Sequence, residues 1–232
     1  MSESWLRFWD RPHHIYVNDR HLRVHYARIA DEILSILPDR GSLSVLDFGC
    51  GEALDAARVA ARAARLYLYD GAPSVRARLA RRFANSPRIA ILDQAGLDAL
   101  PDNSLDVIVA FSVIQYIDRA ELPGLLAGWR SKLAVGGFVI LADVIPPKAR
   151  LLDDIGSLLS TARAYGFLLA ALGGLLTTLF SEYRRLRHQI GLATYDEPEV
   201  MALLRDAGLA PIPHPRNLGF NQARRTYLGR RL

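Results

Sequence analysis

The sequence predicts a three-layer α/β domain: a doubly wound, mostly parallel sheet with helices on both faces, a helical cap at the N-terminus and a helical insertion after the fifth strand. Three observations carry that expectation. Residues 45–53, Val-Leu-Asp-Phe-Gly-Cys-Gly-Glu-Ala, take a short apolar strand into a turn with glycine at 49 and 51. Apolar runs of strand length then alternate with amphipathic segments of helix length, as parallel crossovers require. Acids stand at the ends of successive strands, at Asp47, Asp70 and Asp93, where open α/β sheets bind their ligands.

The elements follow in order. Leu22, His25, Ile29, Ile33 and Ile36 recur at helical spacing, so His21 to Leu37 reads as a helix. Leu43, Val45 and Leu46 suit a strand buried on both faces. Glycine at 49 and 51 removes Cβ where the chain leaves that strand and a ligand approaches its backbone, and residues 54–64 then read as helix. Residues 66–70, Leu-Tyr-Leu-Tyr-Asp, form the second strand. They end on Asp70, about 20 residues after the first glycine, where an acid can accept from a ribose diol. Residues 72–83 read as a helix with Val75, Leu79 and Phe83 on one face, and its arginines are most simply a solvated face. Strands at 89–92, 107–112 and 136–143 follow, and a helix opening at residues 196–199 is ended by Gly208.

The dinucleotide pattern G-x-G-x-x-G is incomplete, because Leu54 stands at its third glycine. Asp47 would repel a pyrophosphate but could pair with an ammonium group, so an amino acid derivative fits better than a dinucleotide. The block resembles the D-x-G-C-G-x-G motif of class I S-adenosylmethionine (SAM) dependent methyltransferases, with Ala53 at the third glycine. Residues 101–109 resemble that family's passage into its fourth strand, and 133–137, Leu-Ala-Val-Gly-Gly, its turn into the fifth. The resemblance implies a Rossmann-like sheet whose last strand is antiparallel, with residues 209–213 and 223–229 as the final pair. It also implies SAM as cofactor and S-adenosylhomocysteine as product. The site it implies is Asp47, Gly49, Cys50 and Gly51 in the first turn, Asp70 and Gly71 at the second strand, Asp93 and Gln94 at the adenine, and Ser112 after the fourth strand. Each acid has a plainer reading: Asp47 as a helix cap, Asp70 as a strand end, Asp93 as a turn residue.

Half of the 232 residues are apolar, enough for one domain with appendages. The expected division is a cap over 1–40, a cofactor core over 41–147, an apolar insertion over 148–195, and the last helix and two strands over 196–232. One cysteine excludes an internal disulfide and suits a reducing cytosol. Lying inside the glycine turn without a local base, Cys50 is expected to pack rather than react. The N-terminus lacks an apolar signal core, so a cytoplasmic protein is expected. The net charge of +5 is carried almost entirely by arginine. No aromatic-interleaved platform or zinc spacing accompanies it, which argues against nucleic acid as substrate and against a metal site.

Residues 164–180 carry no charge. A membrane span would separate two halves of one sheet, so it is not expected. Three readings stay open: an apolar lid over a greasy substrate, a peripheral membrane contact through residues 164–187, or a core or homodimer contact. Tyr16, Arg23 or Arg28 could reach over the cofactor from the cap. For an acceptor that must lose a proton, His13, His14, Gln115, Tyr116, Asp143 and Tyr195 are candidates, and none is singled out. The expected function is a SAM-dependent methyltransferase acting on a small or lipid-like acceptor. The alternatives are a non-catalytic SAM-binding partner protein and an NAD(P)-dependent oxidoreductase.

Overall fold

The computed structural model describes residues 3–11, 15–40, 42–178 and 191–232. Seven strands form one sheet in the order β3-β2-β1-β4-β5-β7-β6. They are β1 (Ser44–Phe48), β2 (Arg65–Tyr69), β3 (Ile89–Leu92), β4 (Leu105–Phe111), β5 (Leu133–Val144), β6 (Ala210–Pro213) and β7 (Arg225–Arg230). The pairs among β1 to β5 are all parallel, and β7 inserts antiparallel between β5 and β6. The strand order reverses between β1 and β4, which opens a crevice beyond their carboxyl ends.

Helices cover both faces. On one, α2 (Asp19–Ile36), α3 (Ala56–Ala61) and α4 (Pro73–Arg82) pack over Leu43, Val45, Leu66 and Val107. On the other, α5 (Gln94–Asp98), α6 (Leu122–Lys132) and α9 (Glu197–Asp206) pack over Leu46, Ile108, Leu141 and Tyr227. Asp196 caps α9 by accepting from the Glu199 N–H at 2.9 Å, satisfying one of the donors a helix start leaves free. Among the described residues, α7 (Leu151–Tyr165) and α8 (Leu168–Thr178) build the insertion, hinged at Gly166, whose φ of 73° ends α7 left-handed. No helix among the described residues is long and apolar enough to cross a membrane.

Two elements differ from expectation. The turn expected at residues 133–137 lies within β5, because the Gly136 N–H donates to Arg231 and the Arg231 N–H to Gly137, both at 2.8 Å. The C-terminal chain thereby makes a strand of it, and the glycines absorb a register shift opposite Leu105 and Val107. A helix not anticipated, α1 (Glu3–Trp9), opens the chain. Its Trp5 and Phe8 are buried, a contribution of roughly 1.5–3 kcal/mol each by area.

Candidate functional site

The glycine turn is built by β2 as much as by β1. The N–H groups of Gly49 and Cys50 both donate to the Tyr69 carbonyl, at 2.7 and 3.1 Å, and fold the chain over the end of β2. Gly49 and Gly51 take φ of 75° and 57°, conformations that an L side chain resists. Space forbids one too: a Cβ at Gly49 would collide with Val113, and at Gly51 with the Tyr26 hydroxyl. Ala53 carries φ of 42°, so the position where the family motif has glycine is strained here by alanine.

Asp70 closes the turn, accepting from the Gly51 N–H at 3.0 Å and the Ala72 N–H at 2.9 Å. Burial raises its pKa against those two donors and Arg76. Asp47, one strand over, has no hydrogen-bond donor on its carboxylate among the described residues. Burial, and then the charge of Asp70, push its pKa up to about 7. A half-buried carboxylate without a hydrogen-bond donor is costly. It makes this corner of the sheet a place for a cation.

Other expected residues stand at the same edge in different states. Asp93 is exposed and caps α5, accepting from the Gly96 N–H at 2.8 Å, the turn role that was its plainer reading. Gln94 accepts from the Tyr69 hydroxyl and donates to Asp98, both at 2.8 Å. Cys50 is buried in the core and burial drives its thiol pKa up, which removes it as a nucleophile. Gly71 lies under α1, where a Cβ would stand 2.9 Å from Leu6. The helix is moored there by Asp10, which accepts from the Ser74 N–H at 2.7 Å. Its Trp5 and Trp9 rings meet Tyr116 edge-on at 4.8 and 5.3 Å. Thus α1 roofs the edge between β2 and β4.

Beside this roof a cavity of about 340 Å³ opens beyond β4 and β5. Ser112 and Asp143 form its floor, α2 supplies His21, His25 and Arg28, and α7 and α8 supply Ile155, Leu158 and Leu175. Asp143 sits at a register shift between Leu141 and Val144 with φ of 62°, and such bulges re-aim side chains. Its carboxylate accepts from Ser112 Oγ at 2.6 Å, Arg224 at 2.6 Å and Asn217 Nδ2 at 2.8 Å. With a guanidinium and two neutral donors on it, Asp143 is a structural hub rather than a proton acceptor. Gln115 is buried, donating to the Ser112 carbonyl at 2.7 Å, and does not line the cavity. Tyr195 is buried among the core side chains opposite. Tyr116 both lines the cavity and packs on α1. His13 and His14 lie outside the described residues.

Two residues escaped sequence reading. Tyr26 seals the glycine turn from above, accepting from the Glu52 N–H at 2.8 Å. One position before it, His25 faces the cavity without a hydrogen bond among the described residues. Burial, and then the charge of His21, hold its pKa down to about 4. A neutral imidazole at a cavity wall can take a proton. The spacing of His21 and His25, four apart on the buried face of α2, was the available signal.

This geometry can be set against known proteins. Residues 45–137 match the family model described as a methyltransferase domain. The core carries a methyltransferase domain. An uncharacterized methyltransferase of Mycobacterium tuberculosis is 28% identical over 127 residues, 55% of this chain and 61% of that relative, so the match spans about three-fifths of the relative's length. A SAM-dependent methyltransferase of Leishmania major shares the fold, with a TM-score of 0.60 and 12% identity over 97% of this chain and 80% of that one. So does a phosphoethanolamine N-methyltransferase of Haemonchus contortus solved with phosphoethanolamine and S-adenosylhomocysteine, with a TM-score of 0.52 and 21% identity over 64% of this chain and 33% of that one.

The residues of this methyltransferase domain fit SAM. The unpaired carboxylate of Asp47 matches an ammonium group, and Asp70 accepts one backbone N–H on each oxygen, which leaves lone pairs for a diol.

Proposed function

We infer that the protein transfers a methyl group from SAM to a small or lipid-like acceptor held in the cavity beside α1. The observation that carries this reading is the donorless carboxylate of Asp47 next to Asp70, at the strand crossover where the methyltransferase domain binds its cofactor. In such a transfer the acceptor's lone pair forms the new bond to the methyl carbon as the sulfur–methyl bond breaks, and sulfur keeps the electron pair. Asp47 would hold the amino group of the cofactor and Asp70 its ribose diol, with α1 shielding that edge from water. Alignment of this kind supplies roughly 7–11 kcal/mol.

A proton leaves the acceptor if that atom is a hydroxyl or another protonated group. His25, an imidazole on the cavity wall with no hydrogen bond among the described residues, is positioned to take it. The lining supports an acceptor with an apolar body and a polar end, since Ile155, Leu158 and Leu175 face Ser112, Arg28 and Asn221. Calorimetry with SAM and S-adenosylhomocysteine tests the reading. Binding by the wild type and its loss in Asp70→Ala with the fold retained are expected, and no binding by the wild type would overturn it. Label moving from SAM to a cell-extract component separates an enzyme from a non-catalytic binder.

A further inference from the structure

The outer side of the insertion carries an apolar face of its own. Leu168, Leu169 and Leu172 lie at i, i+1 and i+4 of α8 and are 37%, 86% and 47% exposed, and Tyr165 at the end of α7 is 43% exposed. On its inner side the same hairpin lines the cavity through Leu158 and Leu175. The hairpin therefore lies between the acceptor cavity and whatever meets its outer face.

Several arginines near the sheet are matched to acids, as in Arg58 with Asp31, Arg62 with Asp39 and Arg78 with Glu52. Arg20 and Arg163 are exposed and make no ion pair among the described residues. The Arg20 guanidinium packs over Gly166, 3.5 Å from where a Cβ would stand, and Arg163 lies one turn before that glycine on α7. Two unmatched cations thus rim a leucine face.

We propose that the α7–α8 hairpin docks on an anionic lipid surface, with Leu168, Leu169 and Leu172 entering the headgroup boundary and Arg20 and Arg163 meeting lipid phosphates. The size of the patch selects this occupant. Among the described residues the four side chains expose on the order of 400 Å², about half of the roughly 800 Å² each partner contributes to a standard protein interface. A few leucines beside cations are what an interfacial helix uses. A helix of 11 residues is about 16 Å long, too short for a hydrocarbon core of about 30 Å, so it lies in the surface. The proposal rests on the outer face, not on the cofactor edge. Vesicle binding and SAM binding accordingly fail independently.

The test is co-sedimentation of the full chain with sucrose-loaded vesicles of phosphatidylcholine alone or mixed with phosphatidylglycerol. The wild type is expected to pellet with the mixed vesicles and to remain in solution with the neutral ones. Leu169→Glu with Leu172→Glu should lower partitioning at least tenfold. Arg20→Gln with Arg163→Gln should lower it roughly tenfold or more, two cations each worth about 1 kcal/mol near an anionic surface. Circular dichroism of each variant checks that the fold is kept, and where a leucine pair unfolds the chain, the arginine pair decides. A wild type that pellets with neither vesicle, or equally with both, overturns the proposal. So do variants that bind like the wild type, and a dimer in sedimentation velocity that Leu169→Glu dissociates, which would assign the face to a second copy.

Discussion

The phenolic oxygen of Tyr26 accepts the backbone N–H of Glu52 at 2.8 Å and fills the space that a side chain on Gly51 would need. A helix from the N-terminal cap is thereby the upper wall of the glycine turn.

Gly51→Ala must adopt a φ of 57° and displace Tyr26. We expect a loss of about 2 kcal/mol or more in thermal unfolding, since left-handed backbone alone costs roughly 1–2 kcal/mol, and at least a tenfold loss in SAM affinity by calorimetry. Tyr26→Phe removes the acceptor for Glu52 and the hydrogen bond with Tyr16 and should cost about 1–2 kcal/mol.

Ala53 offers the opposite experiment. Its φ of 42° lies where glycine carries no steric penalty, and Ala53→Gly should leave stability unchanged or raise it by up to about 1 kcal/mol, relief of strain set against the larger entropy of unfolded glycine. Differential scanning calorimetry reads the sign, and a clear loss of stability would remove the argument.

Asp47 sets a pH dependence. With a pKa of about 7 in the free protein, its carboxylate is increasingly protonated as pH falls below that value, and a cation must then displace the proton. SAM affinity should drop by up to tenfold per pH unit below about 7. In stability the sign runs the other way. The folded pKa lies above the unfolded one, near 4, so the ionised group destabilises the ligand-free fold as pH rises from about 4 to 7. Asp47→Asn should accordingly be more stable at neutral pH, on the order of 2 kcal/mol, yet fail to bind. Paired titrations of binding and chemical unfolding measure both.

His25→Gln keeps a polar side chain in the cavity but removes a proton acceptor. SAM affinity should stay within about twofold, while label transfer to acceptor falls on the order of 10²-fold or more if the acceptor gives up a proton. Since His25 stays neutral down to about pH 4, its protonation should not limit the wild-type rate above about pH 5. A variant with full transfer would exclude it as the base.

Arg224 bridges Asp143 at 2.6 Å and Asp154 at 2.9 Å. Arg224→Met removes the cation that Asp143 and Asp154 share, and stability should fall by about 3 kcal/mol, measured by urea unfolding.

The strand and acid pattern was legible because it rests on local rules: β3 at residues 89–92 and the turn at Gly49 and Gly51 follow from apolar runs and glycine spacing alone. What distant chain segments decide was not. The strand character of Gly136 and Gly137 depends on Arg231. The α1 helix owes its place to Tyr116 and Gly71, far along the chain. Tyr26 carried no local signal, because its partner Glu52 lies 26 residues further along the chain. For Asp93, sequence could not choose between ligand contact and a turn residue, because a strand-end acid before a short helix satisfies both descriptions. The geometry fills the cap.

Cys50 is the chain's single sulfur nucleophile, and it sits sealed within the turn. A thiol reagent added to the folded protein can therefore react only in those moments when that turn swings apart. The modification rate is a clock for such openings, and its slowing by SAM would time how firmly the closed turn is latched, with no engineered label.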